Sequence, residues 1–129
     1  MGYYTRYDLS VQSNGQYNSY DVAKYISEQN EQSDKFYAFE YSLKEFLTDL
    51  DNLAGTVYAL ELESDDECKW YDHEKEMKEL SRKFPEIIFK LHGEGEENGD
   101  VWDKYFRDGK MQVCNAEMSI PPFDESKLL

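Results

Sequence analysis

Alternation of apolar and polar positions opens the chain. Tyr3 to Val11 is rich in Tyr, Thr, Leu and Val and predicts a first strand, closed by the turn residues Ser13-Asn14-Gly15. The period then lengthens. Val22, Tyr25, Ile26 and Gln29 share one face of a short helix that Ser19 or Asp21 can cap. Glu28 to Lys35 is polar and reads as a loop, and the aromatic run Phe36 to Tyr41 as a short strand. Ser42-Leu43-Lys44-Glu45 has the spacing of a capping box, and Leu43, Phe46, Leu47, Leu50 and Leu53/Ala54 follow at helical intervals until Gly55. Thr56, Tyr58, Leu60 and Leu62 alternate with a face that turns acidic at Glu61 and Glu63, which predicts a half-buried strand.

Asp72 can cap the next helix. There Trp70, Met77, Leu80 and Phe84 form a stripe, acids lead, Arg82 and Lys83 close the last turn, and Pro85 stops it. Ile87, Phe89 and Leu91 predict another strand. Gly93 to Asp100 reads as a mobile acidic loop. Val101 to Arg107, Asp108-Gly109 and Lys110 to Glu117 predict a hairpin, because Asp-Gly supplies the positive φ angles of a type I′ turn. Pro121-Pro122 ends regular structure. The expected architecture is one α+β domain over 1–120 with a tail over 121–129. Its sheet is mostly antiparallel with helices on one face, a ferredoxin-like split βαβ elaborated by the C-terminal hairpin.

Charge changes this picture more than composition does. The 129 residues hold 28 acids against 14 bases, a net charge of −14. The aromatic content of 16% argues against an acidic disordered chain. From Glu45 to Glu67 there are eight acids and no base, and from Leu91 to Asp103 five acids and no base. Outside these windows the charge nearly balances. Such a chain is a poor ligand for nucleic acid or an anionic membrane. No apolar run is long enough to span a bilayer, and the first residues lack the apolar core of a signal peptide. Cys68 and Cys114 are expected to be reduced, buried structural thiols in a cytoplasmic protein.

The chain shows no phosphate-binding loop, no nucleophile elbow, no spacing that ties His73 or His92 to a cysteine, and no four-ligand zinc pattern. Glu94, Glu96, Glu97 and Asp100 could offer oxygens to a divalent cation, without the spacing of a calcium loop. The expectation is a non-enzyme without a cofactor.

From Lys69 onward, Lys69-Trp70-Tyr71-Asp72-His73-Glu74, Leu80-Ser81, Phe84-Pro85, Gly93-Glu94-Gly95-Glu96-Glu97, Asp100-x-Trp102 and Tyr105-Phe106-x-x-Gly109-Lys110 resemble small proteins of phages and prophages of Gram-positive bacteria, as does the opening Met-Gly-Tyr-Tyr-Thr. That family carries no assigned reaction, so the resemblance implies a setting, with no catalytic residues to transfer. Setting and charge together suggest, by analogy with anti-CRISPR proteins and DNA mimics, an inhibitor of a basic nucleic-acid-binding host protein, a CRISPR effector nuclease among the candidates. Glu61, Glu63, Asp65, Asp66, Glu67, Glu94, Glu96, Glu97 and Asp100 would stand in for phosphates. The alternatives are a non-mimic interaction module that uses tyrosines and a sheet edge, and a divalent-metal-binding protein.

Overall fold

The computed structural model describes residues 3–11, 19–48, 60–64, 67–117 and 119–129. Five strands form one antiparallel sheet: β1 (Thr5–Val11), β2 (Glu61–Glu63), β3 (Phe89–Gly95), β4 (Val101–Arg107) and β5 (Lys110–Asn115), in the order β2-β1-β3-β4-β5. Three helices, α1 (Ser19–Ser33), α2 (Glu40–Thr48) and α3 (His73–Lys83), complete the α+β domain. Both β2 and β3 pair antiparallel with β1, so they run parallel to each other and, joined through α3, form a split βαβ unit with β1 between them.

Strand parity fixes the core. Leu62, Leu9 and Leu91 lie in one cross-strand row, and Val11, Phe89, Phe106 and Met111 in another. They share a single apolar cluster with Val22, Ala23 and Ile26 of α1, Leu43 of α2 and Met77 and Leu80 of α3. Helices therefore cover one sheet face. Trp70, just before α3, is buried and meets Tyr7, Phe36 and Phe39 edge to face.

The hairpin forms as expected, with Asp108 at φ 48° and Gly109 at φ 78°. Other expectations are corrected. Glu28 to Ser33 continues α1, because its Glu and Gln residues are good helix formers facing solvent. Phe36 to Tyr41 is not a strand. A 3₁₀ turn at Tyr37–Phe39 leads directly into α2. Phe36 holds a left-handed φ of 58°, where its buried N–H donates to the Glu76 carboxylate at 2.7 Å. Ser42 is no N-cap, since α2 begins at Glu40; its hydroxyl instead accepts the Glu63 N–H at 3.2 Å and ties α2 to β2.

Gly93 to Gly95 also belongs to strand β3 and not to a loop. A Cβ on Gly93 would sit 2.2 Å from the Trp102 ring, and one on Gly95 would sit 2.0 Å from Asp100 Oδ2. These glycines leave bare backbone for their cross-strand neighbours. Asp72 occupies the N-cap position of α3 without a side-chain capping bond. The extension of α2 toward Gly55 and the strand residues Thr56 to Ala59 lie outside the described residues.

Candidate functional site

The sheet face opposite the helices carries the polar side chains. One cross-strand row reads Glu63, Asp8, His92, Asp103, Cys114, and the next toward the β1 start reads Arg6, Glu94, Val101. Glu61 occupies the other flanking row, opposite Ser10, which in turn faces Lys90. Because β1 lies between β2 and β3, the Cα atoms of Glu63 and Glu94 are about 12 Å apart from strand spacing and rise. The two acidic windows thus meet on one face.

Around the end of β3 the remaining acids close on the first residues of the described chain. Glu96 Oε1 accepts the Tyr4 N–H at 2.6 Å, and Asp100 Oδ2 accepts the Tyr3 hydroxyl at 2.5 Å. The Glu97 N–H donates to the Tyr3 oxygen at 3.1 Å. Glu67 stands at this end too, beside Cys68, whose backbone bridges Thr5. Asp65 and Asp66 lie outside the described residues. Glu61, Glu63, Glu94 and Glu97 keep exposed carboxylates, whereas those of Glu96 and Asp100 are committed to holding the β3–β4 connection onto Tyr3 and Tyr4.

The sequence windows contain no Lys or Arg, yet cross-strand neighbours bring cations onto the face. Arg6 lies opposite Glu94. His92 Nδ1 is 2.7 Å from Asp103 Oδ1 and its Nε2 3.4 Å from Glu94 Oε1, and Lys90 Nζ is 3.8 Å from Asp103 Oδ2. Burial works to lower the His92 pKa, but the Asp103 and Glu94 carboxylates outweigh it and hold the imidazole above its ordinary value. Arg6, Asp8 and Lys90 escaped sequence reasoning, which weighed His92 only as a base for a cysteine and counted Asp103 only within the acidic window. Strand parity was the signal that could have found them.

A second constellation lies on the covered face. Lys104 shares its row with Leu91 and points inward, its side chain only 12% exposed. Its ammonium donates to His73 Nε2 at 2.7 Å, pairs with Glu74 at 2.9 Å and stands 4.2 Å from the Trp102 ring centroid. His73 Nδ1 faces the Trp70 carbonyl at 2.8 Å, so a neutral ring with the proton on Nδ1 satisfies both contacts. Burial, helped by Lys104, pushes the His73 pKa below its ordinary value. Trp102 stacks on His73 at 5.3 Å. Tyr3, Tyr7, Trp70 and Asp100 complete the wall of a cavity of about 200 Å³. Trp70, His73, Glu74, Asp100 and Trp102, which helped carry the sequence resemblance, therefore converge in space. His73, Glu74, Lys104 and the Trp70 carbonyl satisfy one another, whereas the buried Trp70 Nε1 has no hydrogen-bond partner among the described residues, and the cluster clasps the first turn of α3 to β4.

Cys68 is half-buried and Cys114 is exposed, which corrects the expectation of two buried thiols. Cys114 faces Asp103 and lies two strands, about 10 Å, from His92, too far for a Cys–His pair. Among the described residues no group of three or more His, Cys, Asp or Glu is placed to hold a metal ion, and no helix is long and apolar enough to cross a membrane. No family model, no curated protein and no solved structure matches the chain.

Proposed function

We propose that this chain is a binding module that presents an acidic sheet face to a cationic partner, and that it acts as a phage-type inhibitor of a basic nucleic-acid-binding host protein, a CRISPR effector nuclease among the candidates. The observation that supports this reading is the meeting of the two acidic windows across β1. Glu61 and Glu63 on β2 and Glu94 on β3 hold carboxylates toward solvent from a rigid sheet, and Glu97 adds another from the bend just after β3. Rigid placement limits the side-chain ordering lost on binding. A Lys/Arg groove shaped for phosphates meets a comparable array of anions here. On this reading the protein works in the host cytoplasm, without a cofactor and without catalysis.

The test is affinity capture from host lysate with mass spectrometry, comparing the wild type with E61K/E63K/E97K. Among the described residues these three side chains make no hydrogen bond or ion pair, so the variant should fold. The expected result is a nucleic-acid-binding protein recovered by the wild type, lost with the variant and displaced by duplex DNA. Capture that survives both the reversal and the duplex contradicts the reading.

A further inference from the structure

At the hairpin end a pocket draws on both sheet faces, Tyr105 and Gln112 from the uncovered one and Phe106 and Met111 from the core row. Ile88, Tyr105 and Met111 line this pocket of about 540 Å³, with Arg107 and Lys110 beside them. Neither cation joins an ion pair among the described residues, and Asp108 is the only acid in the lining. In a chain of net charge −14, two unneutralised cations next to an apolar floor specify an occupant that is both aromatic and anionic.

The C-terminal segment has this chemistry. Phe123 follows Pro121-Pro122, stands 79% exposed and precedes Asp124 and Glu125. The prolines restrict the backbone before it. After it, the Asp124 carboxylate accepts the Ser126 N–H at 3.0 Å and starts a 3₁₀ turn over Glu125–Lys127. The aromatic ring is thus presented from a preorganised segment, which lowers the entropy lost on docking. It does not sit in its own pocket. β5 carries the chain from Lys110 to Asn115, about 17 Å toward the other end of the sheet, before this segment departs.

We propose that two copies of the chain exchange these segments. Phe123 of each copy seats against Ile88, Tyr105 and Met111 of the other, and Asp124 and Glu125 meet Arg107 and Lys110. The exchange is self-complementary, so both pockets are filled around one two-fold axis. Glu63, Glu94 and Glu97 lie toward the other end of the strands, and Glu61, in the Tyr105 row, is three strands or about 14 Å away on β2, so this contact stands apart from the proposed inhibitor surface.

Sedimentation equilibrium over a wide concentration range tests the proposal. The wild type is expected to show a monomer–dimer equilibrium. F123D, or the pair R107E/K110E, should weaken it by about 30-fold or more, the scale of an interface anchor. Circular dichroism should not change, since the substituted side chains are exposed. An equimolar mixture of R107E/K110E with D124N/E125K, which keeps an acceptor for the Ser126 N–H, should restore association, because both exchanged contacts are then matched in charge. A wild type that stays monomeric, a dimer indifferent to these substitutions, or shielding of Phe123 that is independent of concentration would each overturn it.

Discussion

Replacing Gly93 with alanine separates strand propensity from the local geometry. In a strand interior, Gly is ordinarily worse than Ala by about 0.5–1 kcal/mol, so propensity alone makes the substitution stabilising. Here the new Cβ would stand 2.2 Å from Trp102 Cζ2 and 2.4 Å from Cε2, a contact that forces the indole to move. Trp102 is 9% exposed, stacked on His73 and in contact with Lys104, so it has little room. Overpacking costs about 1–3 kcal/mol. Disturbing the His73–Trp102 stack adds up to about 1 kcal/mol. The net expectation is destabilisation by about 1–3 kcal/mol, a large share of a small domain's total. Urea unfolding followed by tryptophan fluorescence and circular dichroism measures it. In a Trp102→Val background the same substitution should become neutral or mildly stabilising, giving a coupling of about 2 kcal/mol. Additive effects, or a stabilised Gly93→Ala single variant, would refute the account of this strand.

Three further outcomes are expected. His92 has a raised pKa, so its protonated form contributes stability that is fully present below the ordinary value of 6.5 and lost as pH rises through the folded value. The stability difference between wild type and His92→Gln should therefore be greatest in the acid range and shrink on alkalisation; a difference that grows with pH contradicts the clasp by Asp103 and Glu94. Lys104→Met should destabilise by about 1–3 kcal/mol, since it leaves the half-buried His73 Nε2 without its donor while the partly exposed Glu74 can turn to water. It should also let the His73 pKa rise in an NMR titration, because the ammonium that helped lower it is gone; an unmoved His73 titration would contradict the contact. Ser42→Ala should cost about 0.5–1.5 kcal/mol and speed hydrogen exchange at the Glu63 amide, whereas the loss of a helix cap would fray α2 and leave Glu63 unaffected.

Elements with one dominant signal were legible in the sequence. The α3 stripe of Met77 and Leu80, ended by Pro85, and the Asp108-Gly109 turn required no tertiary information. The errors fell where the local signal pointed elsewhere. Glu28 to Ser33 looked like a loop because solvent-facing helix and loop share polar composition. Phe36 to Tyr41 looked like a strand because aromatic residues favour strands, while burial of Ala38, Phe39 and Leu43 follows helical spacing. Gly93 and Gly95 looked like loop residues because their role depends on Trp102 and Asp100, which meet them only across β4 and its approach. The acidic windows were visible as charge, but the cations set among them were not. Arg6 and Lys90 reach the face through pairing between β1, β3 and β4, which no window along the chain contains. The Lys104 cluster was hidden similarly: a lysine between Trp102 and Phe106 at inward parity becomes intelligible only once His73 and Glu74 are placed above it.

The central claim is that the carboxylates of β2 and the β3 end form one surface for a cationic recipient. The most direct measurement is the dissociation constant of the captured partner between about 50 and 200 mM salt, for wild type and E61K/E63K/E97K, with and without duplex DNA. The account gives a wild-type affinity that falls steeply with salt, is competed by duplex and is largely lost on charge reversal. An affinity that is flat with salt, untouched by duplex and equal in the variant would contradict it.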